Sequence, residues 1–243
     1  YISRMIKDDA EIHLASIGTL GGGNHFIEVA KSNADNLYLL VHTGSRNFGH
    51  KIASHYQKIA QKEYPKLKSL AYLEGHARDE YLFAMRTAQE FAKVNREMIV
   101  SEILKFLEIN KNILRDKIDT PHNYLSDDGI LRKGAVAAHK DEKVIIPFNM
   151  RDGAVIAVGK GVVDWNYSAP HGAGRVLSRA QAKKSLSLKE FQKQMKGIWT
   201  SSVKKSTLDE APDAYKPARE IMNKLTATAA ILETLKPVYN FKA

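Results

Sequence analysis

The stretch "VIIPFNMRDGAVIAV", residues 144–158, decides the fold class of this 243-residue chain. Two short β-like runs, residues 144–147 and 154–158, flank the turn "FNMRDG" with no helix between them. Strand-like and helix-like runs do not alternate regularly elsewhere either, which disfavours a doubly wound parallel sheet. The sequence therefore predicts an α+β fold, in one mixed α/β domain that spans residues 1–243 and contains no internal repeat.

The segments on either side of this stretch predict further strands and two long helices. Residues 37–41 are continuously apolar, as in a buried strand. The spacing of apolar residues predicts one helix over residues 51–64, which ends before Pro65, and a second over residues 79–107. Helical patterns return after Arg175, and the terminal "ILETLKPVYNFKA" predicts a closing strand.

Charge and composition narrow the class of protein. The formal net charge is +10, with positive and negative residues interspersed, which favours a folded protein with a polyanionic partner such as nucleic acid. Basic surfaces on ordinary cytosolic proteins are the alternative explanation. The chain contains no cysteine, which excludes disulfides and thiolate metal sites within it. No apolar run approaches the ~20 residues of a membrane span, and we expect a cytoplasmic protein with no membrane association.

Four histidines lie at strand ends or in turns that contain glycine. They are His25 in "GGGNHFIE", His42 in "LVHTGSR", His122 in "TPHNYL" and His171 in "APHGAGR". Imidazole is a common ligand of divalent transition metals, and catalytic sites are usually assembled from separate segments. Their spacing matches no short-range zinc pattern. Each histidine taken alone can equally be a turn or core residue.

The glycines and arginines near these histidines suit a phosphate group. The stretches "GTLGGGNH" and "HGAGR" allow close approach of the backbone and present N–H groups to anionic oxygens, although either can also be a tight turn without a ligand. Arg46, Arg175 and Arg179 are candidate clamps for RNA phosphates, with solvated helix faces as the alternative. An imidazole such as that of His171 can attack the α-phosphate of a nucleotide. Roles as a metal ligand or a turn residue stay open for His171 at this point.

Several motifs together resemble one known family. In order they are "GTLGGGNHFIEV", "VHTGSRNFGH", "PHN", "RKGA", "IPFNMRDG", "SAPHGAGRVLSR" and "VYNFKA". They are similar to those of RtcB-type RNA-splicing ligases over residues 17–243. The "RDG" that stands where a glycine-rich "GSMG" is more usual resembles the shorter bacterial branch. The resemblance implies that the domain is an RtcB-type catalytic domain.

The resemblance also implies an activity and a set of site residues. The family uses GTP and two manganese ions to join an RNA 3′-phosphate or 2′,3′-cyclic phosphate to a 5′-hydroxyl, through a guanylylated histidine. By motif, His171 matches the guanylylated histidine, His25 would bind one Mn²⁺, and His42 and His122 the second. The family's contacts to GMP match the following residues here: Asn24, His25, Phe26, Ile27, Glu28, His122, Asn123, Pro147, Phe148, Asn149, Met150, His171, Gly172, Ala173, Gly174 and Lys242.

Asp152 is a further candidate that the residues themselves suggest. Its carboxylate can accept hydrogen bonds from N1–H and N2–H₂ of guanine, or it can cap its own turn.

One departure from the family concerns its remaining metal ligands. They are an aspartate and a cysteine upstream of "GGGNH", whereas this chain has 24 residues before His25 and no cysteine. We therefore expect that an amino-terminal part is missing from this chain, with a divergent family member that lacks this ligand as the alternative, and that the fragment alone is inactive.

The resemblance implies partners, and the residues leave two other functions open. The expected partners are RNA ends, from tRNA halves or damaged RNA, GTP, and an activator of the archease type. One alternative is a metal-dependent phosphoesterase that acts on terminal or cyclic RNA phosphates. The other is a basic RNA-binding protein that has lost the chemistry.

Overall fold

A computed structural model describes residues 1–242 and confirms the α+β class, since helices accompany an antiparallel sheet. Ala243, the last residue of the expected domain, lies outside the described residues. Contacts divide the chain into two compact units, the first formed by residues 1–21 and 42–111 and the second by residues 22–41 and those from 112 onwards. The expectation of one domain over the whole chain stays a prediction.

The first unit is helical. Its helices are α1 (Ile2–Met5), α2 (Ala10–Ala15), α3 (Phe48–Glu63) and α4 (Gly75–Phe106). The two long helices predicted from the sequence are α3 and α4, which begin three and four residues earlier than expected. They pack together through buried Ile52, Tyr56 and Ala84. Helix α3 ends just before Pro65, whose ring lacks the N–H that another turn requires. No helix in the described part of the chain is long and apolar enough to cross a membrane.

The second unit is built on a five-stranded sheet. The strands of the chain are β1 (Phe26–Ser32), β2 (Leu37–His42), β3 (Tyr124–Leu125), β4 (Leu131–Arg132), β5 (Ala135–Ala137), β6 (Lys143–Asn149), β7 (Gly153–Gly159), β8 (Ser168–Pro170) and β9 (Ala229–Phe241). The sheet has the order β2-β1-β9-β7-β6, and β9 runs antiparallel to both of its neighbours. Strands β6 and β7 are the two β-like runs of the opening stretch, and they pair antiparallel across its turn.

Close packing at the turn between β6 and β7 explains its glycine. Gly153 has φ +71°, and a Cβ on it would lie 2.1 Å from the carbonyl oxygen of Leu235 in β9. Only glycine satisfies both conditions. The closing strand β9 is confirmed, but it lies in the middle of the sheet.

Short helices and two small sheets complete the second unit. The helices are α5 (Arg179–Ser185), α6 (Leu188–Gln194) and α7 (Ala218–Leu225). Strand β3 pairs with β4, and β5 pairs with β8. The main core includes Val136, Ile146, Val155, Ala169 and Leu225, so strands β5 to β8 and helix α7 share it. This core fixes β8, the strand that leads into the "HGAGR" loop.

Candidate functional site

His171, the first residue after β8, is held by one well-defined hydrogen bond. Its Nδ1 lies 2.7 Å from the carbonyl oxygen of Gly134. A carbonyl can only accept, so the Nδ1 atom carries a proton and donates it. In the neutral ring the Nε2 atom then keeps its lone pair, which is the form of imidazole that acts as a nucleophile or a metal ligand.

Three distant segments meet around this histidine. The N–H of Gly134 donates to Oδ1 of Asn123 (3.0 Å), while its carbonyl accepts from His171. The rings of His122 and His171 lie 5.0 Å apart between centroids, tilted by 47°. We call His122, Asn123, Gly134 and His171 the histidine cluster. The predicted "PHN" and "PHGAG" segments are therefore brought together, through a glycine of the "RKGA" motif.

The loop after His171 runs beside the end of β6. The N–H of Ala173 donates to the carbonyl of Pro147 over 3.1 Å. At Gly172, with φ +155°, an added Cβ would lie 2.5 Å from the same carbonyl oxygen, so the approach depends on glycine. Two of the predicted GMP-binding segments, residues 147–150 and 171–174, thus lie side by side.

Within residues 147–150 the side chains alternate between the core and the surface. Phe148 and Met150 are buried in two different core clusters, whereas Pro147 and Asn149 are partly exposed. This alternation follows from the two-residue repeat of a strand. Phe148 and Met150 have only backbone groups to offer a ligand.

Asp152 is engaged within its own turn. Its carboxylate accepts from Nδ2 of Asn149 (2.8 Å) and from Nε of Arg151 (2.7 Å). Burial acts to raise the pKa of Asp152, but these two donors hold it below its ordinary value. The backbone of this turn is capped by Asn149, whose Oδ1 accepts from the N–H groups of Arg151 (3.0 Å) and Asp152 (2.9 Å).

A second cluster surrounds the buried carboxylate of Glu210. It accepts from Lys242 Nζ (2.7 Å), Arg179 (2.7 Å), Arg175 (3.3 Å) and the hydroxyl of Tyr215 (2.7 Å). Burial lowers the pKa of Lys242 against the opposing charge of Glu210, and burial together with Glu210 raises the pKa of Tyr215. We call these five residues the Glu210 network. Three cationic side chains and one hydroxyl therefore donate to the same carboxylate.

The first half of β1 lies against this network. Nζ of Lys242 is 5.5 Å from the centre of the Phe26 ring and 3.5 Å from the carbonyl oxygen of Asn24. Glu28 faces Asn240 across the β1–β9 pair, and Asn240 Nδ2 donates to its carboxylate over 2.7 Å. Burial raises the pKa of Glu28 to about 7. The predicted contacts "NHFIE" and Lys242 are therefore in one place.

The two clusters are close along the chain. His171 and Arg175 are four residues apart, so their Cα atoms are separated by at most about 14 Å. A cavity of about 310 Å³ opens beside the Glu210 network. It is lined by Gly23, Arg179, Lys183, Ser206, Thr207, Asp209 and Glu210.

The predicted metal ligands are not all in one unit. His25 and His122 are partly buried in the second unit, whereas His42, the last residue of β2, belongs to the first. Arg46 also belongs to the first unit, where its Nε donates to the hydroxyl of Thr19 (3.0 Å). Among residues 1–242, no three His, Cys, Asp or Glu side chains are grouped so that they could hold a metal ion.

Sequence reasoning assigned no role to several residues that build the site. Gly134 stood inside the quoted "RKGA" motif, but nothing in the sequence showed that its carbonyl meets His171. Glu210, Tyr215 and Asn240 were not candidates. The signal for two of them was present in "LDEAPDAY", where an acidic pair lies among apolar residues and precedes a tyrosine.

Comparisons with known proteins agree on one family. The family model described as "tRNA-splicing ligase RtcB" matches residues 2–243. The RNA-splicing ligase RtcB of Escherichia coli K12 is 33% identical over 247 residues, which cover 91% of this chain and 60% of that protein. The tRNA-splicing ligases RtcB of Nanoarchaeum equitans and Aeropyrum pernix are each 33% identical, and the matches cover 85% and 82% of this chain.

This chain spans 60% of the Escherichia coli relative and 55% and 53% of the two archaeal ones. The family match nevertheless extends over almost every residue, including the histidine cluster and the Glu210 network. The chain belongs to the RtcB family of tRNA-splicing ligases.

Proposed function

We propose that this chain carries the nucleotide-transfer site of a GTP- and manganese-dependent RNA ligase. The ligase would join an RNA 3′-phosphate or 2′,3′-cyclic phosphate to a 5′-hydroxyl. The names of the relatives support RNA ends as the substrate, with tRNA halves as one natural case and damaged RNA as another. An archease-type activator is part of the same proposal.

The observation that supports this most directly is the hydrogen bond from Nδ1 of His171 to Gly134. It leaves Nε2 as the nucleophile for the α-phosphorus of GTP. A P–N bond forms at Nε2, the bond to the β-phosphate oxygen breaks, and pyrophosphate leaves. Water first cleaves the P–O2′ bond of a 2′,3′-cyclic phosphate to give the 3′-phosphate. GMP then passes to the RNA 3′-phosphate, which frees the histidine. The 5′-hydroxyl loses its proton and attacks the activated phosphorus, which releases GMP.

The nucleotide would lie between the two clusters. The backbone N–H groups of Gly172 and Gly174 suit phosphate oxygens, while that of Ala173 is held by Pro147. Lys242 adds a positive charge near Asn24 and Phe26. The buried carboxyl of Glu28 offers an acceptor for N–H groups of guanine. A guanine contact by Asp152 stays part of the proposal, but it requires that carboxylate to release Arg151 or Asn149.

The three histidines are proposed as manganese ligands on their motifs alone, since the described residues group no three side chains that could hold a metal ion. An imidazole nitrogen of His25, His42 or His122 would bind the ion, and the phosphates of the nucleotide would supply the oxygen donors that manganese also takes. Bound metal ions neutralise phosphate charge and so make pyrophosphate a better leaving group.

The arginines proposed to bind RNA phosphates differ in how far their guanidinium groups are already engaged by other residues. Arg175 donates to Glu210, to Tyr215 and to the carbonyl of Leu177, so its guanidinium is largely committed. The side chain of Arg179 is 45% exposed and borders the cavity, although it pairs with Asp209 and Glu210. Of these two, Arg179 is the better placed to meet a phosphate. Arg46 remains a third proposed contact.

The test uses the complete gene product with GTP labelled at the α-phosphate and MnCl₂. We expect an acid-labile label on the protein that is lost in His171→Ala. The matched control is His76→Ala, an exposed histidine in the first turn of α4. With a 3′-phosphate RNA and a 5′-hydroxyl RNA, a joined product should form. Release of phosphate from the RNA end with neither adduct nor joined product would indicate the phosphoesterase instead.

A further inference from the structure

Much of the net charge of the chain is concentrated in one short segment. Residues 183–205 contain seven lysines and one glutamate, a net charge of +6 in a chain whose total is +10. The lysines are Lys183, Lys184, Lys189, Lys193, Lys196, Lys204 and Lys205, and every one is exposed. We call residues 183–205 the lysine segment.

The lysine segment is folded. It contains the end of α5, all of α6 and the start of a 3₁₀ helix at Lys205–Glu210. Phe191 and Met195 anchor it in a small core with Leu208. Since this core fixes the backbone, the charges are presented from a defined surface.

Few of these charges are neutralised. Of the seven lysines, all of them in the described part of the chain, only Lys183 and Lys193 form ion pairs, with Asp209 (3.4 Å) and Glu190 (3.8 Å). The remaining ammonium groups face solvent and repel one another. Such a concentration of positive charge creates a local potential that attracts a polyanion.

An exposed tryptophan lies within the same segment. Trp199 is 80% exposed, yet its backbone is fixed: its N–H donates to the carbonyl of Val238 (3.0 Å) and its carbonyl accepts from the N–H of Asn240 (2.9 Å). An indole on a rigid backbone among lysines is a suitable platform for stacking an unpaired base. A base inside a duplex offers no free face, so the feature favours a single strand.

Hydrogen bonds connect the lysine segment to the candidate site. Asn240, which pairs with Trp199, also holds the carboxyl of Glu28. The hydroxyl of Ser202 accepts from the N–H of Lys242 (2.7 Å) and donates to its carbonyl (3.0 Å). Lys183 lines the cavity beside the Glu210 network. A strand bound on this surface would thus lead directly to the site.

We propose that the lysine segment, with Trp199, is the docking surface for a single-stranded RNA whose end enters the candidate site. The proposal rests on the proposed function for the identity of the nucleic acid. The lysines contact successive phosphates, and the indole of Trp199 stacks on one base.

Binding of a fluorescent 20-nucleotide RNA with a 3′-phosphate tests the surface. The variant Lys189→Gln/Lys193→Gln/Lys196→Gln should reduce the slope of log K against log salt by about 2, because each phosphate contact to a single strand contributes ~0.7. Trp199→Ala should weaken binding about tenfold and leave that slope unchanged, since stacking involves no counterion release. The matched control is Lys58→Gln/Lys62→Gln/Lys66→Gln, three exposed lysines of the first unit.

The outcomes separate the surface from the chemistry. Unchanged RNA affinity and salt slope in the lysine variant, or an equal loss in the control, would overturn the docking surface. Equal thermal stability of the unmutated protein and the three variants excludes misfolding as the cause of a loss. Adduct formation by the unmutated protein without RNA is measured separately. If no adduct forms while the RNA results hold, the proposed function fails and the surface stands as an RNA-binding surface.

Discussion

The protonation of the buried residue Glu28 depends strongly on the fold. Glu28 is 2% exposed, and its carboxyl receives a hydrogen bond from Asn240, while the charge of Lys242 lies near enough to lower its pKa. Burial dominates, so its pKa rises from 4.5 to about 7. The charged form is therefore tolerated less well in the folded protein than in the unfolded chain.

A raised carboxyl pKa makes stability fall as pH rises. Between pH 4.5 and 7 the folded protein holds a proton on Glu28 that the unfolded chain has lost. The free energy of unfolding therefore decreases through this interval, by roughly 3 kcal/mol for a pKa shift of this size. Glu28→Gln is neutral at every pH and still accepts from Asn240. We expect the variant to gain stability over the unmutated protein as pH rises from 5 to 8. Urea unfolding at both pH values measures this, and parallel pH profiles would contradict it.

The sequence does not reveal a residue's hydrogen-bond partners when they lie far away along the chain. Arg175 looked like a phosphate clamp because it follows "HGAG", yet three of its acceptors belong to Leu177, Glu210 and Tyr215. Asp152 is a simpler case, because the partners of its carboxylate are its neighbours Asn149 and Arg151 in "NMRDG". Local partners can be inferred from spacing, while partners 35 or 40 residues away require the fold.

At the scale of elements, one buried side-chain amide of helix α4 hydrogen-bonds the backbone of two loops. Oδ1 of Asn95 accepts from the N–H groups of Gly18 (2.8 Å) and Thr19 (3.2 Å), and Nδ2 donates to the carbonyls of Thr19 (3.2 Å) and Gly44 (3.1 Å). Gly18 and Thr19 begin the run into "LGGGNH", and Gly44 follows His42 by two residues. Asn95 is fully buried and satisfied on both sides of its amide.

Replacing Asn95 should loosen both loops. Asn95→Ala leaves four backbone groups without their partner, and we expect a loss of about 3 kcal/mol in the free energy of unfolding. Asn95→Asp should cost more, because a carboxylate oxygen would face the carbonyls that Nδ2 now contacts. Lys93→Ala, on the exposed side of the same helix, is the control. Chemical denaturation gives the three values, and an Asp variant more stable than the Ala variant would refute the assignment.

The elements themselves were predictable where their signals are local. The apolar spacing of α3 and its stop at Pro65 place that helix within three residues, and the runs around "FNMRDG" give β6 and β7. The position of β9 was not predictable, because order within a sheet depends on partners that the spacing of one strand does not reveal. The hydrogen bond between Glu28 and Asn240 depends on the pairing of β1 with β9. The motif that contains Glu28 can therefore be found in the sequence, but its partner Asn240 cannot.

At the scale of the whole molecule, the last strand completes the sheet. Strand β9 lies between β1 and β7, and within the described residues it is the strand that joins β1 and β2 to β6 and β7 in this sheet. It also carries Asn240 next to Glu28 and leads into Lys242 next to Glu210. Without this strand the sheet is divided into two half-sheets with open edges, the carboxyl of Glu28 loses Asn240, and that of Glu210 loses Lys242.

Deletion of residues 229–243 should therefore abolish cooperative folding of the second unit. Without β9 the edges of β1 and β7 face solvent, and the apolar side chains of Ala30 and Ile156, which pack with Leu235, lose their cover. We expect loss of near-ultraviolet circular dichroism, broad denaturant unfolding and rapid proteolysis. Leu232→Thr, at a half-exposed position of β9, should leave all three unchanged. Addition of a peptide of residues 229–243 should restore protease resistance, because the peptide can then pair with both β1 and β7. A shortened chain that keeps a sharp unfolding transition would show that the two half-sheets fold without β9.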